Sequence, residues 1–327
     1  MIDPVTQFLV HLDDIPKQPD DVRRWHGLQG AAFALAIHET ALTEDRCILI
    51  IAEHSQSAQR LQQELAFFSG GTYPIDIFPD YETLIYDGFS PHQDILSDRL
   101  ALLSRAAVDR AVVIVPAATL LLRLPPRAFL LGHNLRLQTG QRLDLTTLRR
   151  QLHASAYRAV DTVIEHGEFT VRGAVLDLFP MGAENPFRVE LFDDEIESIR
   201  TFDPETQLST GITDAIDTLP AREFPLSKEG IRLFQDQWHE QFGGNPRDCR
   251  MYQDVAQGQA PAGIEYYLPL FYTKTETLLN YLPVDLLLIT EAIANPIQSY
   301  WETAKSRYES LRYDLERPIL PPEALLL

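Results

Sequence analysis

Chemistry in this chain, if any, would begin at Gly27-Leu28-Gln29-Gly30-Ala31-Ala32-Phe33-Ala34. A phosphate-binding loop reads GxxxxGK[ST]. Its backbone amides cradle the phosphates, its lysine neutralises them and its hydroxyl holds magnesium. Gly27 and Gly30 remain here, but the second obligatory glycine is Ala32, the lysine is Phe33 and the hydroxyl is Ala34. A phenyl ring cannot neutralise a phosphate, and a methyl group cannot ligate a metal. The segment reads as a nucleotide loop stripped of its chemistry, or as a helix start that needs glycine for close packing. A second remnant stands near the C-terminus. Helicase-type motors follow an apolar strand with Asp-Glu to organise magnesium and water. Here DLLLI (285–289) is followed by Thr290-Glu291, so one carboxylate survives. An ordinary buried strand ending in a solvated glutamate explains it equally well.

Nothing else in the chain suggests catalysis. The nine histidines are scattered, and neither His92 nor His166 has a triad partner at a recognisable spacing. Cys47 opens an apolar run and Cys249 lies in the polar stretch NPRDCRMY. Neither belongs to a CxxC or Cys/His pattern, so no metal and no cofactor is expected. The net charge of −19 argues against a chain whose main task is gripping phosphates, which needs clustered Lys and Arg. No run of about 18 apolar residues predicts a membrane span, and the N-terminus lacks a signal-peptide pattern, so a cytoplasmic location is expected.

The elements that must position these residues fall into three regions, 1–133, 134–218 and 219–327. In the first, the apolar runs Ile48–Ala52, Tyr73–Phe78 and Ala111–Val115 read as short buried strands. Helical spacing separates them, at Ala58, Leu61, Leu65 and Phe68 and again over Ile95–Leu103. That alternation predicts an α/β domain with a parallel sheet. In the second, LDLTTLRRQLHASAY (143–157) reads as one helix. FTVRGAVLDLFP, PFRVELF and IESIRTFD follow as strands, with Asp193-Asp194-Glu195 at a hairpin tip, an α+β unit of mainly antiparallel pairing. The third region holds helical patterns over 230–242 and 300–311 with the strand 285–289 between them. The simplest fold is α/β, a degenerate nucleotide-binding, helicase-like parallel sheet interrupted by an inserted α+β domain. The apolar, proline-rich tail RPILPPEALLL suggests a boundary inside a longer chain.

GEFTVRGAVLDLFP (167–180) and FRVELFDDEIESIRTFDP (187–204) closely resemble the second domain of the excinuclease protein UvrB. YRAVDTVIEHGEFTVRG, SPHQDILSDRL, PAGIEYYLPLF and the terminal RPILPP are more similar still to the N-terminal third of bacterial transcription-repair coupling factors. The resemblance covers nearly the whole chain. It implies a UvrB-like domain 1A, a UvrA-interaction domain 2 and a domain 1B completing the first. It departs from UvrB at both nucleotide motifs. YDGFSPHQD (86–94) also leads almost directly into ILSDRLALL, leaving no room for that protein's DNA-threading hairpin. The resemblance therefore implies a non-catalytic module that docks UvrA, another protein of the excinuclease, with no direct DNA binding. Its other expected partners are further domains of the same full-length protein.

In PFRVELF, period two places Arg188, Glu190 and Phe192 on one face and Val189 and Leu191 on the other. Arginines and aromatics commonly anchor interfaces. Alternatively, Phe192 tucks under the hairpin and Arg188 pairs with Glu190 or Glu197. Arg172 stands beside Gly173 and fits a cross-strand ion pair as well as an interface. The resemblance places Arg172, Arg188 and Phe192 at the UvrA contact. Segment 184–205 carries eight acidic residues against two basic, as a mixed-charge interface would. The aromatic run Tyr266–Tyr272 is expected to pack as core, with base stacking the alternative, and Arg149-Arg150 to be solvated. Besides docking, the chain can be read as an intramolecular mask for other domains, a vestigial NTPase or a DNA-binding domain.

Overall fold

The computed structural model describes residues 15–18, 21–43, 47–105, 111–290 and 293–327. Along the described chain the strands are β1 (Cys47–Ala52), β2 (Ile75–Ile77), β3 (Val112–Pro116), β4 (Leu135–Gln138), β5 (Arg158–Ala159) and β6 (Glu168–Arg172). They continue with β7 (Val175–Leu178), β8 (Phe187–Phe192), β9 (Glu195–Phe202), β10 (Ser209–Thr213), β11 (Ala215–Thr218) and β12 (Val284–Ile289). Two compact units form. One comprises 1–80, 106–120 and 282–299; the other comprises 81–105, 121–281 and 300–327.

The first unit is built on a parallel sheet of order β12-β1-β3-β2. β1 and β3 are buried throughout, as central strands of a parallel sheet covered by helices must be. Ala58, Leu61 and Leu65 of the helix Ser55–Ser69 meet Ile48, Ile50, Val112, Ile114 and Leu286 in one core. β12, expected to be an ordinary buried strand, is instead a sheet edge among the described residues. Only Leu286 is buried there, because one neighbour and one covered face leave Leu287 and Ile289 exposed. β3 runs through Pro116 instead of stopping before it. Pro116 lies opposite Ala52, but β2 reaches only as far as Ile114, so no neighbour on that side asks for the missing N–H.

The second unit contains the antiparallel architecture. β4 and β11 pair with each other, so the chain enters and leaves this segment at adjacent strands. Between them lies a six-stranded sheet of order β10-β9-β8-β7-β6-β5, antiparallel except for β5 with β6. Phe169, Leu176, Leu178, Val189, Leu191, Ile196 and Ile199 are all buried. The helix expected over 143–157 spans only Leu145–Ala154, capped by the Asp144 carboxylate. It ends because Ala156 turns to φ 64° and Tyr157 drops into the core, its hydroxyl donating to the Leu219 carbonyl at 2.7 Å.

Three motifs of unassigned role meet in this unit. From SPHQDILSDRL, Ser90 donates to Glu265 (2.8 Å), Gln93 accepts from Arg222 (2.6 Å) and Asp94 bonds His166 (2.8 Å). Ser97 accepts from the Gly182 amide (2.7 Å), and Arg99 pairs with Glu223 (2.6 Å). PAGIEYYLPLF forms a 3-10 helix, Ile264–Phe271, with Tyr266, Tyr267 and Phe271 buried, so these rings pack and offer no stacking face. From the C-terminal motif, Arg317 holds the Tyr86 and Asp87 carbonyls, and the Tyr86 hydroxyl reaches the Leu320 carbonyl at 2.9 Å.

Glu265 adds a pH-dependent cost. It is 5% exposed, and its Oε1 has no hydrogen-bond partner. Burial raises its pKa above 4.5, although Arg222 pulls the other way. As pH rises from about 4.5, the unfolded carboxyl ionises before the folded one, so stability falls across that window. Glu265→Gln removes the slope. Its stability relative to the parent is expected to rise between pH 4.5 and 7 in paired urea titrations, and a difference independent of pH would refute this.

Candidate docking surface

Strand register, more than local sequence, assembles the outward face of the six-stranded sheet. Cross-strand partners place Thr170, Asp177, Arg188, Arg200 and Ile212 in one row over β6 to β10, and Arg172, Val175, Glu190 and Ser198 in the next. Phe192 closes β8 opposite Glu195, across a turn at Asp193-Asp194 where Asp193 takes φ 55°. Asparagine and aspartate tolerate that left-handed geometry best after glycine. The turn is therefore two residues long, and Glu195 already belongs to β9.

The alternation of PFRVELF holds. Val189 and Leu191 are buried, Arg188 and Glu190 face outward, and Phe192 is 70% exposed, not tucked beneath the hairpin. Arg188 pairs with neither Glu190 nor Glu197. Its Nε and Nη2 donate to the two Asp177 oxygens at 2.7 and 2.9 Å, a bidentate fork across β7–β8. Its Nη1 reaches the Gln207 carbonyl at 3.4 Å, and the guanidinium lies 4.9 Å from the centre of the Phe202 ring. The Asp177 bonds raise the Arg188 pKa further, so the charge is fixed. Glu190 instead accepts from Ser198 (2.9 Å) and faces Arg200 (3.4 Å). Arg172 makes no ion pair among the described residues. Its guanidinium donates to the Asp161 carbonyl. Arg172 and Arg188 line one shallow depression of about 370 Å³, together with Thr170, Val175, Asp177 and Glu190.

Residues 135–224, which contain this whole sheet, match the family model described as the UvrB interaction domain. The chain is 42% identical over 317 residues to the transcription-repair-coupling factor of Haemophilus influenzae, covering 96% of this chain and 28% of that protein. It is 42% identical over 316 residues to that of Escherichia coli, covering 96% and 27%. With the Bacillus subtilis protein identity is 26% over 285 residues, covering 82% and 24%. Over nearly its whole length the chain is thus similar to one segment of the transcription-repair-coupling factors. It spans about a quarter of the length of these relatives.

The other expected site lies in the first unit. Gly27 (φ 76°) and Gly30 (φ 55°) both adopt backbone that favours glycine, yet a Cβ on either would meet nothing within 4 Å. Conformation, not close packing, calls for them. Ala32 opens the helix Ala32–Thr43, Ala34 is fully buried and Phe33 packs against the sheet core. Residues 21–29 carry no regular structure, and β1 follows this helix. In a working phosphate loop a strand runs directly into the loop, and among the described residues 21–29 no strand does so. Thr290 donates to the Ile51 carbonyl at 3.3 Å. Glu291 lies outside the described residues. Burial pushes the Cys47 thiol up to about 11 and raises Cys249 as well, so both are poor nucleophiles at neutral pH. Among the described residues no His, Cys, Asp and Glu cluster could hold a metal, and no helix is long and apolar enough to cross a membrane.

Sequence reasoning missed Asp177, Arg200 and Gln207. Asp177 carried the one available signal, a charged residue inside the apolar run VLDLF, which a buried strand tolerates only with a partner.

Proposed function

We propose that this chain is a non-catalytic docking module of transcription-coupled nucleotide excision repair whose partner is the excinuclease protein UvrA. The observation that carries this reading is the joint placement of Arg172, Arg188 and exposed Phe192 on the outward face of the sheet matched by the UvrB interaction domain model. An exposed aromatic on the same strand face as an arginine, four residues along β8 from Arg188, supplies the residue types that anchor interfaces. The nucleotide site is read as degenerate. The lysine position is occupied by Phe33, partly buried against the apolar core, whose ring has no charge to offer a phosphate. This division of labour leaves catalysis and DNA translocation to other parts of the longer protein. Because relatives are about four times longer, a second reading is that the same face is covered by another domain of the full-length chain until it is released.

Titrating purified UvrA against the parent chain and Phe192→Ala tests the proposal. Tight parental binding, weakened by about 2 kcal/mol or more in the variant, is expected of a central interface aromatic. Phe192 is exposed, so the variant should melt with the parent. A folded parent that does not bind UvrA overturns the reading.

A further inference from the structure

We infer that Asp177 is a positioning residue of the docking face, acting through Arg188; this rests on the docking reading above. Asp177 is 4% exposed and sits in the middle of β7, directly opposite Arg188 on β8. A carboxylate is costly in a strand of apolar residues unless it is paired and hydrogen-bonded. Here both oxygens accept from one guanidinium, at 2.7 and 2.9 Å. The same guanidinium lies 4.9 Å from the centre of the Phe202 ring and donates to the Gln207 carbonyl. Gln207 is itself fixed, its Nε2 donating to the Val163 and Pro204 carbonyls at 3.1 and 2.7 Å. Three supports on three elements hold the Arg188 plane before any partner arrives. Preorganisation of this kind removes side-chain ordering from the cost of binding.

The arrangement separates the two arginines of the depression. Arg188 commits its fork to Asp177 and presents a fixed, neutralised plane. Arg172 keeps its charge without a carboxylate partner among the described residues. A lysine at position 188 would keep the charge but could supply neither the fork nor the plane.

The test is a double-mutant cycle on UvrA binding, using Asp177→Asn, Arg188→Ala and the pair, with Arg188→Lys as a fourth variant. Each is compared at protein concentrations where circular dichroism shows it folded. Asp177→Asn is expected to weaken binding roughly tenfold, the pair to lose no more than Arg188→Ala alone, and Arg188→Lys to bind within threefold of Arg188→Ala. A purely structural Asp177 would lower the melting temperature and leave the affinity of the folded variant within twofold of the parent, which overturns the proposal. Tighter binding by Asp177→Asn, meaning that Asp177 merely masks charge, overturns it too, as does a full additive loss in the pair. If the parent itself fails to bind, the docking reading fails first. In that case Arg188 Nε–H exchange, read by NMR and expected to accelerate in Asp177→Asn, still reports whether Asp177 positions Arg188.

Discussion

Replacing Arg99 by alanine is expected to destabilise the chain by about 3–5 kcal/mol, the cost typical of breaking a buried ion pair from one side. Arg99 is fully buried and Glu223 is 1% exposed. The guanidinium bonds Glu223 at 2.6 Å and lies 4.1 Å from the centre of the Tyr81 ring, while the Tyr81 hydroxyl donates to the other Glu223 oxygen at 2.6 Å. Without Arg99 the carboxylate keeps one phenol donor in a site closed to water. The loss reflects an uncompensated charge more than the net worth of the pair. Replacing both residues with apolar ones of similar volume, Arg99→Met with Glu223→Leu, should therefore recover part of it. Urea denaturation at pH 7 measures both. A loss under about 1 kcal/mol in Arg99→Ala would show that the pair is effectively solvated.

Gly263→Ala is the second large effect, at about 2–5 kcal/mol, the sum of a backbone and a packing penalty. Gly263 sits at φ 78°, which costs an L-residue about 1–2 kcal/mol. A Cβ there would also stand 2.5 Å from the Asp87 carbonyl and 2.8 Å from an Arg317 nitrogen. The first of these is backbone and cannot swing away, so overpacking adds about 1–3 kcal/mol. The consequence is local. Gly263 donates to Ser90, Arg317 holds the Tyr86 and Asp87 carbonyls, and Arg307 pairs with Asp87 at 2.7 Å. The loop 85–90 should loosen before the rest unfolds. Amide exchange should be faster at Asp87 and Gly88 in the variant, and unchanged protection there together with an unchanged midpoint would contradict the argument.

The proposed docking face and the two stability predictions thus involve different residues of the second unit. Phe192 and Arg172 lie at the surface, and their loss should leave the melting point nearly unaltered. Arg99 and Gly263 lie in the packed motifs, and their loss should reduce folded protein without altering the affinity of the remainder.

The sequence by itself determined the α/β character, the buried strands β1 and β3, the place of β12, and the parity of Arg188, Glu190 and Phe192 against Val189 and Leu191. Those features depend on apolar runs and on the two-residue repeat of a strand, which are local. It also determined that Phe33 and Ala34 cannot serve phosphate or magnesium, since that follows from their side chains alone. Tertiary structure decided what each charge touches. Arg188 had Glu190 and Glu197 as nearby candidates, yet the register of β7 against β8 delivered Asp177, eleven residues away. Arg172 found a loop carbonyl in place of an ion pair. The motif residues Ser90 to Arg99 found partners more than 70 positions distant. Strand order set the exposure of β12, whose apolar run reads the same at an edge as at the centre of a sheet. Helix ends moved for a related reason. Tyr157 left the helical pattern because a buried site and the Leu219 carbonyl were available to it. Partner choice depends on long-range register and burial, and neither has a local signature in the order of the residues.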